Sequence, residues 1–166
     1  IKYPAQFMLV GAMNPCPCGF LGDREKDCTC SEFQIQRYRS KLSGPLLDRI
    51  DLIVNVPRLT SDELINTKTE SEPSAEIRER VIKARKIQAK RYVSEGILTN
   101  SELSSKQIKK YCKLDEKTLE FLKTAAQKYQ LSGRRYDRIL KIARTIADLN
   151  SSENIGFEHI TQALQY

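Results

Sequence analysis

The hydrophobic pattern of the chain changes character once, near residue 57. Before it lie two short runs that are apolar at nearly every position, Phe7-Met8-Leu9-Val10-Gly11-Ala12 and Leu52-Ile53-Val54-Asn55-Val56. Runs apolar on both faces suit strands inside a parallel sheet, so 7–12 and 52–56 are predicted to be buried strands. Between them, Pro15, Pro17, Gly19 and Gly22 make residues 15–30 a loop. Ser31-x-x-Gln34 then reads as a capping box, opening a helix with apolar contacts from Phe33, Ile35 and Tyr38 through about Leu42. Gly44-Pro45 stops that helix, a turn carries Leu46, Leu47 and Arg49 into 52–56, and Pro57 ends the strand.

Residues 58–75 are polar and read as a linker, with one helical turn around Asp62-Glu63-Leu64-Ile65. Beyond them the period is helical throughout. A helix over 75–94 carries a stripe of Ile77, Val81, Ala84 and Ile87; one over 105–112 turns Leu103, Ile108 and Tyr111 inward. A third, over 116–129, is capped by Asp115 and lined by Leu119, Leu122, Ala126 and Tyr129. A fourth, over 133–149, is capped by Ser132 and lined by Ile139, Ile142, Ala143, Ile146 and Leu149. After a break at Asn150-Ser151-Ser152, a last short helix holds Phe157, Ile160, Ala163 and Leu164. The expected fold is an α/β remnant, two strands of a parallel sheet plus a helix, followed by an all-α bundle. Its parts are 1–57, a linker at 58–75, and a helical domain at 76–166.

Charge adds a choice of partner. With 28 Lys+Arg against 21 Asp+Glu, the net charge of +7 favours polyanions. Seven of the cations fall between Arg78 and Arg91, on the long helix. They read either as a nucleic-acid contact or as a solvated face with snorkelling side chains. No apolar run approaches the ~20 residues of a membrane span. At 166 residues there is room for one domain, or for a small domain plus an incomplete piece. The start at Ile1, close to a strand, leads to the expectation of a piece cut from a longer protein.

Four of the five cysteines, Cys16, Cys18, Cys28 and Cys30, form C-x-C…C-x-C. In a reducing cytoplasm such a cluster points to metal rather than to disulfides, and four thiolates can close a tetrahedral Zn²⁺ site. The pairs are tighter than the usual C-x₂₋₄-C, so zinc ligands and reduced thiols in a structured loop stand as equal alternatives. Cys112 reads as a small core residue, and His159 as a packing or surface residue rather than a ligand.

Three further stretches carry polar groups at telling places. Asn14 closes the first apolar run; Gly44-Pro45-Leu46-Leu47-Asp48-Arg49-Ile50-Asp51 leads into the second. Leu131-Ser132-Gly133-Arg134-Arg135-Tyr136 opens the fourth helix of the bundle. Singly these are a turn, a surface arginine paired with Asp48 or Asp51, and a basic amphipathic helix. Together they resemble the second half of an AAA+ ATPase domain of the Mg-chelatase-like family, ComM/YifB type, over nearly the whole chain. The resemblance implies that Asn14 is the first sensor, orienting the water that attacks the γ-phosphate, and that Arg49 is an arginine finger acting on a neighbouring subunit. It implies a lid sensor in the Ser-x-Arg segment. Arg135 replaces a small residue of the family pattern, so Arg134 and Arg135 both stand as candidates. Further implications are a homo-oligomeric ring, a hexamer, in the cytoplasm, with ATP and Mg²⁺ in the intact protein and DNA as the substrate of a helicase in recombination or transformation. Alternatives are a magnesium-chelatase motor subunit, or a zinc-stabilised helical module binding nucleic acid or protein. The sequence contains neither G-x-x-x-x-G-K-[ST] nor an acidic pair at a strand end, so the chain by itself is expected not to hydrolyse ATP. In the family's sheet the phosphate-loop strand lies between the two strands present here, which leaves both with open edges.

Overall fold

The computed structural model describes residues 1, 7–59, 61, 65 and 72–166. The helical turn expected around Asp62–Ile65 rests on residues 62–64, outside the described residues. The chain divides into two compact units, Ile1–Leu47 with Asn55–Thr67, and Asp48–Val54 with Lys68–Tyr166.

The second unit is a helical bundle. It contains α3 (Ser74–Arg91), a 3₁₀ turn (Asn100–Glu102), α4 (Ser105–Tyr111), α5 (Glu116–Lys128), α6 (Gly133–Leu149) and α7 (Phe157–Ala163). Side-chain caps start three of them: Ser104 accepts from the Gln107 amide, Asp115 from Thr118 at 2.7 Å and Ser132 from Arg135 at 3.3 Å. Each cap satisfies a backbone donor that the helix itself cannot. α6 is the central element, packing against α7, α3, α4 and the 3₁₀ turn. Its residues Ile139, Leu140, Ala143 and Ala147 meet Leu122, Ile108 and Ile160 in one core, closed by Tyr92. Cys112 and His159 are buried there, and His159 Nδ1 accepts from the Gly156 amide at 2.8 Å at the start of α7. The expected stripe of α3 is only half used. Ala84 and Gln88 are buried, but Ile77 and Val81 are exposed, because the packed part of the helix is its C-terminal half. Tyr129 and Leu149, at the ends of their stripes, are also exposed.

A polar network runs through this core. Asp148 accepts from Arg91 Nη1 at 2.9 Å, Arg144 Nε at 3.2 Å and Asn100 Nδ2 at 2.9 Å. Tyr92 donates to Asn100 at 2.6 Å, and Arg144 also donates to the carbonyls of Ser152 and Glu153. Among the described residues no buried side-chain polar atom lacks a partner, which is the condition for charges to sit inside a fold.

The first unit holds α1 (Glu32–Arg39) and the short α2 (Gly44–Leu47). The capping box is formed: Ser31 Oγ accepts from the Gln34 amide and Gln34 Oε1 from the Ser31 amide. The predicted strands are corrected. Neither 7–12 nor 52–56 is a strand, and among the described residues all regular structure is helical. Phe7, Met8 and Val10 are 76, 86 and 80 % exposed, and Val54 is 63 % exposed. A strand needs a neighbour for its backbone donors and acceptors and a layer to cover its faces. The described residues offer these two runs no such neighbour.

Candidate functional site

The cysteine loop is built by turns. Gly19 N donates to Cys16 O at 3.1 Å and Asp23 N to Phe20 O at 3.1 Å. Gly19 and Gly22 take φ of +84° and +80° at these turns, a region that favours glycine. Asp23 then accepts from the Glu25 and Lys26 amides at 2.8 and 3.0 Å. The Phe20 ring lies 4.2 Å from Lys26 Nζ and 5.6 Å from the Arg58 guanidinium. These contacts double the loop back and bring Cys28 and Cys30 onto Cys16 and Cys18.

The four sulfurs lie within 4.8 Å of one another. Cys16–Cys18, Cys16–Cys28 and Cys18–Cys28 are separated by 3.4, 3.7 and 3.6 Å, with no disulfide. Zinc–sulfur bonds of about 2.3 Å at tetrahedral angles put sulfurs roughly 3.8 Å apart, so the donor set fits Zn²⁺. The tight C-x-C spacing therefore does not keep the thiols apart. The Cys18 thiol is pulled down to about 5, first by the Phe20 amide, with further help from Thr29, Cys16 and Cys30. On Cys28 the Cys30 amide pulls down, but desolvation and the neighbouring Cys18 and Cys16 sulfurs push it up to about 12. Thiolate character thus gathers on Cys18, as expected where several sulfurs compete for one charge. Asn14 is exposed, its side-chain nitrogen 3.8 Å from where a Cβ on Gly19 would stand.

The arginine segment belongs to the helical unit. Arg49 is exposed, in the turn that follows α2. Its neighbours on either side are held by α6. Arg135 donates through Nε and Nη2 to Asp48 Oδ1 at 3.0 and 2.7 Å, and Arg138 Nη1 donates to the Ile50 carbonyl at 2.6 Å. Arg134, one residue from Arg135, is exposed, and its side chain makes no hydrogen bond or ion pair among the described residues. Of the two lid candidates, then, Arg135 is engaged and Arg134 is not. Sequence reading did not single out Asp48 as a partner of Arg135, or Arg138 at all. The available signal was the i, i+3 spacing of Arg135 and Arg138, which puts them on one helix face.

The chain belongs to the magnesium chelatase subunit ChlI family. Residues 1–64 match the family described as magnesium chelatase, subunit ChlI, and residues 71–166 the one described as magnesium chelatase, subunit ChlI C-terminal. Over its whole length it is 46 % identical to competence protein ComM of Haemophilus influenzae, across 167 residues. It is also 39 % identical to the uncharacterised protein YifB of Escherichia coli and 37 % identical to YifB of Salmonella typhimurium, again over its whole length. The chain spans about a third of these relatives, 31 % of ComM and 32 % of each YifB. Among the described residues no helix is long and apolar enough to cross a membrane.

Proposed function

We propose that this chain is the second half of the nucleotide-hydrolysing domain of an AAA+ ring ATPase of the ComM/YifB type. The observation that carries the reading is the exposed Arg49 in a segment anchored to α6 on both sides. An arginine finger has to present its guanidinium away from its own subunit, on a backbone that does not drift. The first turn of the same helix carries the exposed Arg134, suited to touch nucleotide phosphates from the lid. Asn14 orients the attacking water in this reading. The phosphate-binding loop and the groups that hold Mg²⁺ lie outside these 166 residues, whose sequence has no G-x-x-x-x-G-K-[ST].

The exposed apolar runs at 7–12 and 52–56 fit strands of a sheet that gains its missing neighbours in the intact protein. Cys16, Cys18, Cys28 and Cys30 would hold Zn²⁺, which would cross-link the loop between the two apolar runs. DNA is the favoured substrate. The net charge of +7 suits a polyanion, and the most similar of the relatives named above is a competence protein. The test is Arg49→Ala in the full-length protein. ATP binding is expected to persist while hydrolysis falls by on the order of 10³ or more, the usual loss for a missing finger. Hydrolysis at the original rate in assembled Arg49→Ala protein would overturn the reading.

A further inference from the structure

Arg49 is bracketed. The residue before it is held by its carboxylate, the residue after it by its carbonyl, and both holders come from one face of α6. Arg135 grips Asp48 through two nitrogens on the same oxygen, at 3.0 and 2.7 Å. Arg138, one turn further on, grips the Ile50 carbonyl at 2.6 Å. The two grips differ in kind. The Asp48 side chain remains 36 % exposed, so that ion pair alone contributes little. The Arg138 contact is partly buried and reads backbone position rather than side-chain identity. Used together they restrain the chain on each side of Arg49. They also tie Arg49 to Arg134, since each lies one residue from the same Asp48–Arg135 pair.

We propose that Asp48, Arg135 and Arg138 form a clamp that positions Arg49 from the lid helix, with Arg134 left to meet the nucleotide. The inference rests on the reading of Arg49 as a finger. The three residues are positioning residues: none touches substrate, and their effect passes through Arg49. α6 and the Arg49 turn then move as one body. A lid displacement at one nucleotide is thereby transmitted to the arginine offered to the next subunit.

The experiment uses the full-length protein. Arg135→Ala and Arg138→Gln are each expected to lower kcat by on the order of 10- to 100-fold, the effect of displacing a catalytic group by about 1 Å. KM for ATP should stay unchanged, because neither residue contacts the nucleotide. Arg134→Ala should instead raise KM. The paired exchange Asp48→Arg with Arg135→Asp should recover most of the rate lost in Arg135→Ala, which a residue reading phosphate could not do. Hydrogen exchange at residues 49–53 should quicken in Arg135→Ala/Arg138→Gln, independently of any turnover. A raised KM in Arg135→Ala with no rescue by the exchange overturns the clamp, as does unchanged exchange at 49–53 in the double variant. Full activity in Arg49→Ala, with exchange at 49–53 still dependent on Arg135 and Arg138, overturns the finger reading itself and not the contacts.

Discussion

Asp148 receives two guanidinium groups and an amide inside the helical unit. Its removal would strand Arg144, which is 3 % exposed and draws its remaining bonds from two carbonyls. Breaking a buried pair from one side costs about 3–5 kcal/mol, a large part of the roughly 5–15 kcal/mol that holds a domain. Asp148→Ala is therefore expected to lower the unfolding free energy by about that amount in denaturant titration; a change under about 1 kcal/mol would mean that water replaces the carboxylate. Glu95 makes a second, pH-dependent tie. It accepts from Gln107 Nε2, Lys110 Nζ and Tyr111 OH at 2.9, 2.6 and 2.6 Å, joining the segment after α3 to α4. Gln107 first, then Lys110 and Tyr111, hold its carboxyl at about 2 against an ordinary 4.5. A lowered folded pKa means that this stabilisation is complete above about pH 4.5 and is lost as the pH falls towards 2. The unfolding midpoint of Glu95→Gln should differ from the parent at pH 7, and the gap should close as the pH falls through about 2. A constant gap across that range would assign the contact a neutral role. Neither network was legible in the sequence, because Arg91 and Asp148 meet from positions 57 apart.

At the scale of elements, local signals carried through and partners did not. The caps at Ser31, Asp115 and Ser132 all form where the pattern put them. α5 and α6 begin at Glu116 and Gly133, as expected, since a helix start is written within four residues. The two strands did not form, because a strand is defined by a neighbour. The cysteine loop lies between these cases: its turns are local, but pairing Cys16 with Cys28 spans a loop. Purified protein is expected to carry about one equivalent of zinc, given four cysteine sulfurs within 4.8 Å of one another. Cys28→Ser should lower that content and speed hydrogen exchange across residues 16–30. Elemental analysis finding no metal, in protein prepared without chelator, would leave the cluster as free thiols.

At the scale of the whole molecule, burial divides very unevenly. Among the described residues of Ile1–Leu47 and Asn55–Thr67, Cys16 is the one buried residue, while the helical unit has a continuous core. The stability of this chain should therefore reside in the helices. In dilute, metal-free protein, amide exchange at Ile142 is expected to be slow and to report global unfolding, while Leu9 and Val54 exchange fast. Equal protection at all three would show that the apolar runs at 7–12 and 52–56 fold without added sheet neighbours.

The sequence by itself determined the order of the helices, their caps, the grouping of four cysteines and membership of the chelatase family. All of these are written in residue types at short or fixed spacing. Tertiary structure alone decided that the four Cys sulfurs converge to within 4.8 Å of one another, and that only the C-terminal half of α3 packs. It also decided that Arg135 and Arg138 reach 87 and 88 residues back to hold the turn around Arg49. Contacts at such separation depend on how helices dock, and docking is set by the shape of a whole core rather than by the period of any one stretch.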